Sequence, residues 1–99
     1  MTALRLVIAP VAQEDLRNIY LYTKRTWGEQ QATDYLDQLK DCFWLLTTQA
    51  RVGNLRPELG DDVRSLLVKH HVVFYRYKLN QMQIVRVLHG RQDPKLHFL

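Results

Sequence analysis

The period of the apolar positions changes along the chain. Leu4, Leu6 and Ile8 share one face of a period-two segment that reads as a strand from Leu4 to Ala9, ended by Pro10. From Ala12 the period lengthens. Leu16, Ile19, Tyr20, Thr23 and Trp27 form one stripe of a helix, with Trp27 expected to pack. Glu14 and Asp15 are expected in its first turn and Lys24 and Arg25 in its last, where each sign suits the helix dipole. Gly28 reads as a C-terminal cap. A second stripe follows through Ala32, Tyr35, Leu36, Leu39, Cys42, Phe43 and Leu46. Two amphipathic helices with so short a joint form an antiparallel hairpin.

Residues 47–62 are rich in turn signals, among them Gly53-Asn54, Arg56-Pro57 and Gly60-Asp61-Asp62, and read as a long connecting loop. Beyond it the period returns to two. Val63 to Val68 is a candidate strand, and His71 to Leu79 is dense in β-branched and aromatic residues. Asn80-Gln81 reads as a turn. Met82 to His89 is the next strand, with Ile84 and Leu88 on one face and Val85 and Val87 on the other. Gly90 breaks it, and a tail, Arg91 to Leu99, follows. The expected fold is a single α+β domain over residues 1–99. It has an N-terminal strand, a helix hairpin, then a three-stranded antiparallel meander, with both helices on one face of the sheet.

Composition agrees with a packed domain. Hydrophobic residues make up 46% of the 99 residues, enough for a core. No apolar run approaches the ~20 residues of a membrane span, and the first residues do not resemble a secretory signal. The expectation is a soluble cytoplasmic protein that does not engage a membrane. The single cysteine, Cys42, excludes an internal disulfide and a cysteine-based metal cluster, and its place on the apolar stripe suits a small core residue.

Charge changes the picture more. The formal net charge is +4, but Arg5, Arg17, Lys24, Arg25 and Lys40 are outnumbered by acidic residues before residue 50. The second half carries the basic excess and all four histidines. Such a half suits a polyanion or an acidic partner as well as a merely solvated face. Within it, Arg86 alternates with apolar neighbours and therefore needs a partner or a solvated face. Asp93 is a candidate to pair with Arg86 or Arg91. Arg86, His89 and Arg91 together form a candidate polar site at the sheet's edge. Arg86 and His89, three apart on a strand, point to opposite faces unless the strand ends or bulges between them. His70 and His71 are adjacent, face apart and lack ligands at a recognisable spacing, so no metal is expected. Trp44, at the edge of its stripe, fits either partial burial or a partner surface. Tyr75 and Tyr77 share a strand face and are expected in the core, with base stacking beside Arg76 as the alternative.

Several of these segments together resemble the ParE toxins of the RelE/ParE superfamily, from type II toxin–antitoxin pairs. The resemblance runs almost end to end: Ala9-Pro10, Ala12 to Leu16, Ile19-Tyr20, Tyr22, Trp27-Gly28, Ala32, Tyr35-Leu36, Gly53, Arg56 to Leu59, Arg64 and His71 to Arg76. Its most specific segment is Arg86-Val87-Leu88-His89-Gly90-Arg91-Gln92-Asp93. The resemblance implies the fold derived above. It also implies a toxin that poisons DNA gyrase without hydrolysis, is neutralised by a ParD-like antitoxin, assembles with it as a hetero-oligomer, needs no cofactor, and serves plasmid stabilisation. Arg64, Arg76, Arg86, His89, Arg91 and Asp93 are the expected partner-binding residues. The superfamily's other branch cuts messenger RNA on the ribosome, and on that alternative His89, Arg91 and Arg86 carry the catalysis. A non-toxic decoy that retains antitoxin binding is the third possibility.

Overall fold

A computed structural model describes residues 3–98. Strand β1 (Arg5–Ile8) leads into α1 (Pro10–Trp27), and Gly28 joins it to α2 (Glu29–Leu46). The chain continues through β2 (Asn54–Leu55), a 3-10 turn at Pro57–Leu59, β3 (Arg64–Val68), β4 (His71–Lys78) and β5 (Gln81–His89), and a second 3-10 turn spans Pro94–Leu96. The five strands form one sheet in the order β1-β5-β4-β3-β2, antiparallel except for the β1–β5 pair.

Pro10 does more than end the first strand. It opens α1, where its missing N–H costs nothing and its fixed φ suits the first turn. The helix therefore starts earlier than the periodicity indicated, and Glu14 and Asp15 lie beyond its first turn, which holds no acidic residue. Gly28 adopts φ 97° and closes α1 by donating its N–H to the Lys24 carbonyl. The α2 stripe is buried as expected through Ala32, Leu36, Leu39, Phe43 and Leu46. Trp27, by contrast, is 64% exposed: the helix ends there, past the edge of the layer it packs on. Trp44 is likewise exposed.

The expected loop contains a further strand. β2 is only two residues long, too short for a periodic signal, and pairs Asn54 with Ser65 and Leu55 with Arg64. The β4–β5 turn falls one residue early, at Leu79-Asn80, with Leu79 at φ 54°. The larger correction concerns β5. Phe74 pairs with Arg86 but Tyr75 pairs with Ile84, so Val85 is an extra residue, a bulge. The bulge resets the alternation. Ile84 and Val87 both join the core beneath the helices, and Leu88 is carried to the opposite face.

The main core lies between the helices and the sheet, with Phe43, Leu39, Val73, Tyr75, Met82 and Ile84 fully buried in it. The other sheet face has a smaller apolar patch. Phe74 and Leu88 are only 2% and 1% exposed there, because the tail returns over them and Phe98 meets the Phe74 ring edge-on at 5.2 Å. The Arg56 guanidinium covers the same ring at 5.6 Å. Among the described residues no helix is long and apolar enough to cross a membrane.

Candidate functional site

Folding converts the charge difference between halves into a difference between layers. The helices carry Glu14, Asp15, Glu29, Asp34, Asp37 and Asp41 against Arg17, Lys24, Arg25 and Lys40. The five strands carry Arg5, Arg64, Arg76, Lys78 and Arg86 and no acidic residue. One layer is net acidic and the other is basic.

Arg86 finds its partner in Asp15. Its Nε and Nη2 donate to the two carboxylate oxygens at 2.8 Å each, and its Nη1 donates to the His97 carbonyl at 2.8 Å. The Val87 N–H also donates to the Asp15 carboxylate at 3.0 Å. This fork geometry, 16% and 12% exposed, pushes the Arg86 pKa up, chiefly through the hydrogen bonds it donates to Asp15. Asp15 thus does three things. It neutralises a half-buried cation, covers a strand edge where β1 has stopped, and pins α1 to β5. Asp93 takes no part in this pairing. It caps the last 3-10 turn by accepting from the Lys95 N–H.

The other expected residues are dispersed. Arg64 lies towards the helices and holds the preceding loop, donating to the Gly53 carbonyl at 2.9 Å and to that of Arg51 at 3.3 Å. Arg76 is on the outer sheet face and donates to the Gln83 side chain at 3.0 Å. The bulge precedes Arg86, so it does not bring Arg86 and His89 together. Arg86 pairs across the sheet with Phe74, while His89 pairs with His71, and the rings of those two histidines meet edge-on at 5.4 Å. Arg91 is exposed beside His89 and donates its backbone N–H to His89 Nδ1. Tyr75 and Tyr77 both face the core side, as expected.

His71 and His89 line a groove of about 1160 Å³ between the helix hairpin and the end of the sheet, with Tyr22 and Trp27 exposed along its rim. The Tyr35 hydroxyl lies 2.6 Å from His71 Nδ1. Burial, and then the neighbouring His89 and His70, hold the His71 pKa down to about 4, while burial raises that of Tyr35. His71 is therefore neutral in neutral solution. Burial also pushes up the Cys42 thiol, which suits packing and not nucleophilic chemistry. No group of three or more metal-ligating side chains occurs among the described residues.

A sequence profile described as the ParE toxin of type II toxin–antitoxin system, parDE, matches residues 6–94. The chain belongs to the ParE toxin family. It is 31% identical to toxin ParE1 of Caulobacter vibrioides, over 87% of this chain and 88% of that one. It is 33% identical to toxin ParE1 of Mycobacterium tuberculosis, over 90% and 92%. The fold matches a chromosomal ParDE system from P. aeruginosa at TM-score 0.77, with 24% identity, over 88% of this chain and 96% of that one. The RelBE2 toxin–antitoxin complex from Mycobacterium tuberculosis follows at TM-score 0.66, with 21% identity, over 93% and 97%. At those identities the two structures speak for the fold alone. The protein is a type II toxin of the ParE family.

The depressed His71 pKa makes a prediction for this ParE toxin. The unfolded imidazole titrates near 6.5 and the folded one near 4, so the unfolded state binds the extra proton first. Stability is constant above the unfolded value and falls as pH drops between the two. With solvent screening allowed for at this half-buried site, the expected loss is about 1 kcal/mol between about pH 7.5 and about pH 5. Urea unfolding at both values measures it. His71→Gln removes that slope, and an unchanged slope in the variant contradicts the assignment.

Sequence reasoning missed Asp15 as a partner and Tyr35 as a contact of His71. Asp15 did carry a signal: it lies four residues before Ile19, on the side of α1 that packs. A carboxylate there needs a buried cation or donor.

Proposed function

We propose that this ParE-family toxin inhibits DNA gyrase by a non-hydrolytic mechanism in the cytoplasm and is neutralised by a ParD-like antitoxin in a hetero-oligomer. The observation that carries the proposal is the family match over residues 6–94. The geometry supports the same side. Cleavage of RNA through its own 2′-hydroxyl needs a base, an acid and free positive charge converging on one phosphate. Here the Arg86 charge is neutralised by Asp15, and His89 lies on the other side of the strand. His89 and Arg91 alone do not complete that set.

The sheet edges and the groove offer different ways of holding the antitoxin. On β5, the Val87 and His89 N–H groups beyond β1 are taken by the side chains of Asp15 and Gln92. At the other edge, β2 offers only two residues. Those two stretches offer an added strand little free backbone, whereas among the described residues the outer edge of β1 and that of β3 beyond Ser65 have no strand beside them. An amphipathic antitoxin helix fits the groove between hairpin and sheet, with Tyr22 and Trp27 as apolar contacts and Lys69 and His89 near its charged end. Of the six expected partner residues, His89 lines this groove, Arg91 is exposed beside His89, and Arg76 lies on the open sheet face. Arg64, Arg86 and Asp93 hold the scaffold. Induction in a growing culture tests the function. The expected result is growth arrest with broken chromosomal DNA, reversed by co-expressed antitoxin. Arrest with intact DNA and cut messages supports the nuclease branch instead, and undisturbed growth supports the decoy.

A further inference from the structure

The open half of the outer sheet face has no role in the groove or in the Asp15–Arg86 contact. Arg5, Gln81 and Lys78 are register partners across β1, β5 and β4 and form one row. Val7, Gln83 and Arg76 form the next row on the same face. Arg76 donates to the Gln83 side-chain oxygen at 3.0 Å, and the Gln83 amide donates to the Gln81 side-chain oxygen at 3.0 Å, so hydrogen bonds tie the two rows together. Arg5 and Lys78 are exposed and Arg76 is half-buried. Among the described residues the ion pairs are Arg56–Glu58 and Arg86–Asp15, and neither involves these three cations.

We propose that Arg5, Arg76 and Lys78, with the Gln81 and Gln83 amides between them, form a surface that contacts the phosphate backbone of duplex DNA. Charge complementarity carries the assignment, and the surroundings narrow it. Strands lie about 4.8 Å apart, so the first row spans about 10 Å, the length of about three phosphates of one strand at 3.4 Å per charge. An amphipathic acidic peptide needs large apolar anchors, and Val7 is the only apolar side chain in the two rows. Single-stranded nucleic acid is held by aromatic stacking, and these rows contain no aromatic residue. A face of cations and mutually hydrogen-bonded amides suits a duplex backbone, whose recognition is largely electrostatic. The inference rests on the gyrase reading only for why DNA is the polyanion at hand. It adds a second surface, on the far side of the sheet from the antitoxin groove.

Fluorescence anisotropy with the purified toxin and a labelled duplex of about 20 base pairs, over a range of salt, tests it without gyrase. Three phosphate contacts predict a slope of about −2.7 in log affinity against log salt. Arg5→Gln with Lys78→Gln should lower affinity at low salt by about tenfold or more and remove about 1.8 of that slope. Both positions are exposed, so folding should survive, and the melting curve checks it. Lys24→Gln with Lys40→Gln makes the same change of net charge on the helix layer and should leave the slope unchanged. An equal loss from the helix-layer pair, or no loss from the sheet pair, overturns the proposal. So does tighter binding of a single-stranded RNA of equal length, or a loss confined to antitoxin binding. A toxin that traps gyrase without binding the duplex refutes this inference alone. One that binds the duplex but leaves gyrase untouched refutes the gyrase reading alone.

Discussion

Asp15→Ala should lower the stability of the toxin by about 3 kcal/mol, the scale for leaving one partner of a largely buried ion pair unmatched. Three hydrogen bonds end on this carboxylate: two from Arg86 and one from the Val87 N–H. Alanine leaves a guanidinium that still needs a counter-charge and a strand-edge N–H with no acceptor. For a domain of this size the melting midpoint falls by roughly 12–20 °C. The double variant Asp15→Leu with Arg86→Met should recover part of the loss, because it removes both charges together. What it cannot restore is the acceptor for Val87. Thermal and urea unfolding of the two variants and the parent protein measure the set. A cost below about 0.5 kcal/mol for Asp15→Ala makes the pair a surface contact and contradicts its structural role.

Gly53→Ala is the second large effect expected. A Cβ at this position would lie 2.6 Å from the Tyr75 hydroxyl and 2.7 Å from the Ser65 carbonyl. The first atom is held in place from two sides: the hydroxyl accepts from the Gly53 N–H and donates to the Ala50 carbonyl, at 2.8 Å each. The second is backbone of a paired strand. Neither can yield cheaply, so the substitution should cost about 2–4 kcal/mol, in the range of an overpacked site with broken hydrogen bonds. The background decides the cause. In Tyr75→Phe the hydroxyl contact is gone but the ring Cε1 at 2.8 Å and the Ser65 carbonyl remain, so the cost of Gly53→Ala should shrink without vanishing. A double-mutant cycle by urea unfolding reads this directly. Strict additivity would mean that the hydroxyl plays no part.

These two sites mark where sequence was legible and where it was not. The helices announced themselves because their stripes are long and each has one face to bury, as the run from Ala32 to Leu46 does. Arg86 was legible as a residue in need of a partner, since a cation flanked by apolar strand positions cannot stay unmatched. Its partner was not legible: Asp15 is far away in sequence, and near a helix start a carboxylate suits the dipole equally well. β2 escaped notice because a two-residue strand has no period. The Val85 bulge escaped because a single insertion leaves a run of apolar residues looking continuous, although it decides which of them meet the helices. The outer face was half legible. Arg76 and Lys78 share a parity within β4, but the row they form with Arg5 depends on the parallel β1–β5 pairing, which alternation alone does not reveal.

Glycine and carboxylate alike act here on the scaffold, and the toxin's action depends on the surfaces that scaffold presents. The most direct measurement is purified toxin added to gyrase and plasmid DNA, with topoisomerase IV as comparison, reading supercoiling and trapped cleavage complexes. The expected result is loss of supercoiling with broken DNA trapped on gyrase at near-stoichiometric toxin, relieved by antitoxin. Full supercoiling without trapped breaks from folded toxin, together with codon-positioned cuts in translated message, would contradict it and assign the protein to the ribonuclease branch.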